Sequence, residues 1–310
     1  MQPAAAPEGR GGAPLPHFER QRQRFFWLLL TPVLAILGVV TLLPTLYLLV
    51  TSFTPLSLAT PGTAWNFSAP LANYKLLLSD GRLHNSLWVQ AKLSFFTVTL
   101  QLLIGLGVAL LLNMRTVLME ALRTAFLVPM VLPPIVVAII WKVLYSPDIS
   151  PAWWLFEAFG WSVATPITNA DWALTAIIVA DTWEWFPFTM LIILAALSMM
   201  PEELREAARI DGANSLQLTW FVTLPYLRNT LLVAGLFRLI DSIKTFPLIY
   251  ILTDGGPGTV TEVSNYYIFT QSFNYSYIGY SSAVTIVLLA ITLVLSWVII
   301  RVVAGESRVD

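Results

Sequence analysis

Phe25-Phe26-Trp27-Leu28-Leu29-Leu30-Thr31-Pro32-Val33-Leu34-Ala35-Ile36-Leu37-Gly38-Val39-Val40-Thr41-Leu42-Leu43-Pro44-Thr45-Leu46-Tyr47-Leu48-Leu49-Val50 contains no charged residue. At about 1.5 Å of rise per residue, a helix of this length crosses a hydrocarbon core about 30 Å thick. The run is longer than the apolar part of a secretory signal, and no small-residue cleavage site follows it. It is therefore expected to remain in the protein as its first span. The residues before it, 1–24, are rich in Pro, Gly and Arg and read as a disordered cytosolic tail.

Outward from this run the pattern repeats. Six spans are expected, at about 25–51, 86–112, 122–145, 172–198, 225–252 and 279–302. The chain is 57% hydrophobic and 11% charged, whereas a soluble domain carries about a quarter of its residues charged. The expected fold class is all-α: one polytopic transmembrane bundle over 25–302, with a second short tail at 303–310. A formal net charge of −1 gives no field suited to nucleic acid. The absence of cysteine removes disulfides and thiolate chemistry, and His17 and His84 stand too far apart in sequence to suggest a metal site.

Lys and Arg near the span ends set the expected orientation. Arg10, Arg20, Arg22 and Arg24 precede the first span; Arg115, Arg123, Arg205, Arg209, Arg301 and Arg308 lie on the same side. The opposite side holds only Lys75, Arg82 and Lys142. Both termini are expected in the cytosol. The long outer segments are then 53–85, 146–171 and 253–278, where Trp153, Trp154, Trp161, Tyr266, Tyr267, Tyr275 and Tyr277 suit the headgroup zone. Pro32, Pro44, Pro129, Pro133, Pro134, Pro187 and Pro247 fall within spans. Each removes a backbone donor, which the membrane interior tolerates where neighbouring helices or an aqueous cavity satisfy the freed carbonyl. Kinked spans around a path suit a transporter.

The most polar internal segment joins the fourth and fifth spans, over 199–225. Pro201 suits a helix start, and Glu202 and Glu203 sit at its positive end. Leu204, Ala207, Ala208 and the turn at Ile210 or Asp211 then place small and apolar residues on one side, with Arg205, Glu206 and Arg209 on the rim. Gly212 is expected to stop the helix in a left-handed conformation. A second short helix is expected from Ser215, and Pro225 restarts the chain as the next span. The product is a compact helical elbow with two alanines that allow close approach and a fixed charge at Glu206.

Glu206-Ala207-Ala208, Gly212 and Val222-x-Leu224-Pro225 together resemble the EAA loop of binding-protein-dependent ABC importer permeases, with Val222 where isoleucine is common. The resemblance runs over roughly 25–302. Trp183-x3-Pro187-Phe188, Ile210-Asp211-Gly212-Ala213 and Phe246-x2-Ile249-Tyr250-x-Leu252-Thr253-x-Gly255-Gly256-Pro257-Gly258 are similar to the carbohydrate-uptake branch, which includes maltose and glycerol phosphate permeases. Pro247 stands where that branch usually has aspartate. The resemblance implies a type I importer permease in a bacterial inner membrane, translocating an oligosaccharide, polyol, glycoside or glycerol phosphate. It implies that Glu206, Ala207, Ala208, Arg209, Asp211, Gly212, Leu224 and Pro225 couple the chain to an ATPase. It also implies a second homologous permease subunit, two ATPase subunits that bind ATP and Mg, and an extracytoplasmic solute-binding protein. No cofactor, metal or catalytic residue is expected in this chain.

Asp181 and Glu184 in the fourth span, and Arg238, Asp241 and Lys244 in the fifth, are costly in hydrocarbon and should face a partner or a cavity. Glu184 and Arg238 fall at comparable depths from the outer ends of their spans, so Arg238 is expected to pair with Glu184 or Asp181. The cluster reads either as a network holding two spans together or as a polar wall of a translocation path beside Trp183 and Trp185. A competing reading of the chain is an ion-coupled secondary transporter, which leaves the 199–225 loop unexplained. An intramembrane enzyme lacks paired catalytic groups apart from Asp181 and Glu184. The glycines after Asp254 lack the Gly-Lys-Ser/Thr ending of a phosphate loop and read as a tight turn.

Overall fold

A computed structural model describes residues 17–113, 116–150 and 165–306, together with Trp153 and Ala158. Arg10, Arg115, Trp154, Trp161, Arg308 and the terminal stretches 1–16 and 307–310 lie outside the described residues. The chain divides into two compact units, Met1–Val50 and Thr51–Asp310.

The first unit is the body of helix α1 (His17–Ser52). This helix starts at His17, ahead of the expected span, while its membrane-crossing part runs over Arg24–Ser52, close to the expected 25–51. Glu, Gln and Arg in this polar stretch lose little rotamer freedom in a helix, and they extend the apolar run by two turns. Pro32 and Pro44 lie inside α1 without ending it.

The second unit is built from α2 (Ala72–Ser79), α3 (Gly81–Leu112), α4 (Val117–Val131), α5 (Pro134–Leu144), α6 (Ala173–Met199), α7 (Glu202–Ile210), α8 (Ser215–Leu218), α9 (Leu224–Ile243), α10 (Pro247–Leu252), α11 (Ser264–Phe269) and α12 (Ile278–Glu306). A π-helical turn over Thr219–Thr223 leads into α9, and another over Thr270–Asn274 follows α11. Among the described residues no strand forms.

Among the described residues, four helices are long and apolar enough to cross a membrane: α1, α3, α6 and α12. Helices α4 and α5 meet the same test as a pair, bent by 96°. The bend follows from Pro133 and Pro134. Leu132 is extended because a proline follows it, and Pro134 opens the new helix at a position that needs no N–H. The expected span at 122–145 is thus a broken one. The span expected at 225–252 also breaks, at 244–246, because Pro247 starts α10 and offers no donor to continue α9. Helix α9 is less apolar than its neighbours because it carries Arg228, Arg238 and Asp241.

The long pair α3 and α6 forms the centre. They approach closely where Gly105 faces Thr189: a Cβ on Gly105 would lie 2.1 Å from Thr189 Oγ1. That hydroxyl donates to Gln101 O at 2.6 Å, so the crossing combines a small residue with an interhelical hydrogen bond. Ala109, Met190, Ile193 and Leu227 fill the core toward one end, where α9 packs on both helices. Val89, Val137, Ile177 and Ile249 fill it toward the other, with α5 and α10. Large apolar side chains such as Phe95, Leu103 and Val294 point outward, as expected where lipid is the solvent.

The end of the bundle opposite the 199–225 loop is held by polar contacts. Asp80 caps α3, accepting from the backbone N–H of Arg82 and Leu83 at 2.9 and 3.1 Å, and it also accepts from the hydroxyls of Tyr267 and Tyr280. Arg82 grips Glu262 through two hydrogen bonds of 2.8 and 2.7 Å. Tyr266, Tyr267 and Trp153 are buried, which corrects the expectation of interfacial anchors at these positions; Tyr275 and Tyr277 are exposed. The phenols of Tyr266 and Tyr267 pair inward, with Asp254 and Asp80, so these rings serve the fold rather than the headgroup zone.

Candidate functional site

Two groups of residues carry chemistry, at different levels of the bundle. The first is the elbow between α6 and α9. Pro201 precedes α7, whose first turn holds Glu202 and Glu203 and whose last turn holds Arg209, matching the helix dipole at both ends. Asp211 ends the helix and Gly212 follows at φ 85°, a left-handed conformation that glycine adopts without strain. The reversal lets Ala213 N–H donate to Ala208 O at 2.9 Å and Asp211 N–H to Ala207 O at 3.0 Å, which satisfies carbonyls the helix leaves open. Asn214 and Gln217 then cap α8 reciprocally, each side chain accepting from the other's backbone N–H at 2.9 Å.

No residue of α7 is buried. Glu206, Ala207, Arg209, Asp211 and Gly212 are exposed, as is Pro225, whereas Ala208 and Leu224 are half-buried. The two alanines therefore separate. Ala207 is exposed and permits close approach of another surface, while Ala208, like Arg205, is half-buried, and α7 packs against the chain's own α8 and π turn. Leu204, Ile210, Leu216, Trp220 and Phe221 stand exposed around the elbow, giving it an apolar rim. The elbow is thus a short, charged, exposed knob ringed by apolar side chains.

The second group lies within the bundle, around a cavity of about 120 Å³ lined by Pro134, Asp181, Glu184, Trp185, Arg238, Asp241, Lys244, Thr245, Pro247 and Leu248. Arg238 organises it. Its Nη1 donates to Asp241 Oδ2 at 2.5 Å, its Nη2 stands 4.0 Å from Asp181 Oδ2, and its guanidinium carbon lies 4.4 Å from the centre of the Trp185 ring. The expected partner Asp181 is thus the more distant of two carboxylates, and Glu184 is not a partner. Both Glu184 oxygens are buried with no hydrogen-bond partner among the described residues.

Gln101 on α3 completes the network, and sequence reasoning missed it. It donates to Asp181 Oδ2 at 2.8 Å and accepts from Arg238 Nε at 2.8 Å, joining α3, α6 and α9 through one fully buried amide. Its signal was an amide deep in a mostly apolar span, and such residues act as interhelical hydrogen bonders. A smaller ladder continues it: Gln90 donates to Ser94 and to Ser242 O, and Ser242 to Ser94.

Trp183, grouped with these residues on sequence, does not line the cavity. One position from Glu184, it points to a different side of α6 and packs edge-on against Trp141, 5.8 Å between ring centres. Pro247, which departs from the pattern of the similar permeases, forms part of the cavity wall where α10 begins. Lys92 sits over the Trp88 ring at 5.9 Å, and Lys142 donates to Ile251 O, tying α5 to α10.

Residues 101–304 match the family described as binding-protein-dependent transport system inner membrane component. The chain belongs to that family. As a permease component it is embedded in a membrane. The trehalose/maltose transport system permease protein MalF of Thermococcus litoralis is 37% identical over 77% of this chain and 80% of its own length. The sulfoquinovosyl glycerol transport system permease protein SmoG of Agrobacterium fabrum is 31% identical over 90% of each. A permease chain in the crystal structure of a bacterial alginate ABC transporter, in complex with an alginate pentasaccharide-bound periplasmic protein, superposes with a TM-score of 0.78. It is 19% identical, with 91% of this chain and 94% of that one covered, and it shares the permease fold.

Proposed function

We propose that this permease is one of two membrane subunits of an ATP-driven importer, and that it translocates a sugar or sugar-like solute: an oligosaccharide, polyol, glycoside or glycerol phosphate. The observation that carries the reading is the exposed, unburied helix α7 with Glu206 and Ala207 on its outer side and the Gly212 reversal behind it. The trehalose/maltose and sulfoquinovosyl glycerol permeases among its relatives support the solute class.

In this account an extracytoplasmic binding protein delivers the solute to the end of the bundle that holds Asp80, Arg82 and Glu262. Two ATPase subunits, which bind ATP and Mg, close on nucleotide at the opposite, cytosolic end, where both termini of the permease also lie. Glu206, Ala207, Ala208, Arg209, Asp211, Gly212, Leu224 and Pro225 form the coupling element seated in one ATPase. Force applied to α7 passes through the rigid α8 and π turn into α9 and so reaches the Arg238 network. Asp181, Glu184, Trp185, Arg238, Asp241 and Lys244 then form this chain's share of the solute path, with a homologous permease completing it.

The test is copurification with transport. From a strain carrying the whole system, the wild-type permease is expected to bring down an ATPase and to take up solute only in energised cells. Glu206→Lys is expected to lose both while still reaching the membrane. ATPase-free purification of the wild type, with uptake that survives ATP depletion and stops when the ion gradient collapses, would instead identify an ion-coupled carrier.

A further inference from the structure

The segment that joins α1 to α3 is too apolar for a loop that lies in water. From Phe53 to Ser79 it holds one charged residue, Lys75, whereas a soluble domain carries about a quarter of its residues charged. Leu58, Trp65, Phe67, Leu71, Leu76 and Leu78 are nonetheless exposed, Trp65 to 77% and Leu78 to 80%. Hydrogen bonds fix the level at which they stand. Leu58 N–H donates to Ser276 O at 3.0 Å and Gly279 N–H to Leu56 O at 2.8 Å, beside the start of the apolar span Ile278–Arg301 in α12. At its other end the segment reaches Asp80, which accepts from the Tyr280 hydroxyl in the first turn of that span. The chain therefore leaves and returns at one level. Helix α2 reaches further along the span: it packs on α12, and its Leu77 shares one buried cluster with Tyr280, Ala283 and Val284. At 1.5 Å of rise per residue, Ala283 and Val284 lie about 8 Å inside the start of the span.

We infer that residues 58–78 dip into the membrane at the end of the bundle opposite the elbow, and that lipid is the partner of their exposed apolar side chains. Continuity with a lipid-facing surface decides the partner. Helix α12, on which α2 packs, itself exposes Leu289, Leu293 and Val294. Tyr275 and Tyr277 flank the Ser276 contact and are exposed, and tyrosine and tryptophan favour the headgroup zone, which places Trp65 at the same boundary. On α2 the buried Leu77 and half-buried Tyr74 belong to the cluster against α12. Leu71, just ahead of the helix, Lys75 and Leu78 are exposed and recur four and three residues apart along another side. Lys75 suits that side: its apolar stem lies among leucines while its ammonium reaches a lipid phosphate. An interfacial element of this kind needs apolar side chains on one face and a cation near the headgroups, and both are present. A docking face for a soluble protein would carry a polar rim, which this stretch with its single charge lacks. The inference requires only that the bundle crosses a membrane, and it is independent of the solute and of the ATPase.

The experiment uses the full complex in phosphatidylcholine nanodiscs, with Trp65→Cys, Leu71→Cys or Leu78→Cys in the cysteine-free permease labelled by a thiol-reactive nitrobenzoxadiazole. Label taken up by the complex with unsubstituted permease is subtracted, and retained ATP hydrolysis shows that each variant is folded. Two quenchers are compared: phosphatidylcholine carrying a doxyl group high on its acyl chain, and iodide in the water. Val294→Cys serves as the lipid-facing reference and labelled N-acetylcysteine as the aqueous one. At all three positions doxyl lipid is expected to quench within about twofold of the Val294 reference, and iodide at least fivefold less than in water. Adding the solute-binding protein is expected to change neither. Quenching by iodide with none by doxyl lipid overturns the inference and returns the segment to water. Loss of iodide quenching only when the binding protein is added overturns it in favour of a protein-docking face. Shielding from both quenchers throughout overturns it in favour of a contact with the second permease subunit.

Discussion

At the level of single residues, the close crossing of α3 and α6 gives the sharpest prediction. A methyl group on Gly105 would collide with Thr189 Oγ1 and come within 2.9 Å of Met190 N, while one on Gly107 would meet nothing within 4 Å. Gly105→Ala is therefore expected to cost about 1–3 kcal/mol through overpacking, and Gly107→Ala about nothing. Melting of the detergent-solubilised complex distinguishes the two. Equal melting temperatures would contradict the crossing.

Asp80 supplies a pH signature. Burial alone would raise its carboxyl, but hydrogen bonds from Tyr267 and Tyr280 and from the backbone N–H groups of Leu83 and Arg82 hold it below its ordinary value of 3.8. A depressed folded value means that the stabilisation is complete above the ordinary value and is lost as pH falls through the folded one. Asp80→Asn should therefore melt below wild type by a constant margin down to about pH 5, with the margin shrinking on further acidification. A margin that grows toward acid would refute the assignment. At the neighbouring ion pair Glu262 is 1% exposed and both its oxygens accept from the Arg82 guanidinium. Arg82→Ala strands a buried carboxylate and is expected to cost about 3 kcal/mol, more than the double change Arg82→Ala with Glu262→Ala. A thermal double-mutant cycle without coupling would show the pair to be idle.

At the level of elements, the elbow was legible and the breaks were only partly so. Pro201, Glu202 and Glu203 and Gly212 are local signals whose physics needs no distant partner, and the structure places a helix start, a dipole match and a left-handed stop at them; Pro225, expected to restart the chain, instead sits where helical backbone already continues from the π turn. Prolines were harder to read, because a proline's effect depends on its neighbour. Pro32, Pro44, Pro129 and Pro187 stay inside helices, while the doubled Pro133-Pro134 and the Pro247 start break theirs. Ala207 and Ala208, read together as small residues that allow close approach, differ in exposure, since adjacent helical residues point about 100° apart. The elbow makes its own prediction. Gly212→Ala forces a left-handed alanine at a cost of about 1–2 kcal/mol. It should lower solute uptake severalfold while basal ATP hydrolysis persists, as measured in reconstituted vesicles. Unchanged coupling would mean that the reversal transmits nothing.

Across the whole molecule, what sequence could not supply was contact between remote positions. Arg82 and Glu262 are 180 residues apart, and Gln101 and Arg238 are 137 apart. No periodicity announces either pair; only the cost of a polar group in an apolar span hinted that Gln101 needed partners. These contacts make one mechanical unit of α3, α6 and α9, with the exposed knob at one end and the polar clamp of Asp80, Arg82 and Glu262 at the other. Motion of the knob is then expected to reach Arg238 through a continuous set of hydrogen bonds and packed side chains rather than through loose loops.

The natural chain contains no cysteine, so a single Ala207→Cys reports on the knob without background. Crosslinking of this variant with a short thiol-to-amine reagent, in membranes containing the whole system, is expected to join the permease to an ATP-hydrolysing subunit, with a yield that changes on adding ATP. A cysteine that forms no such crosslink and is labelled from outside intact cells by a membrane-impermeant maleimide would contradict the account.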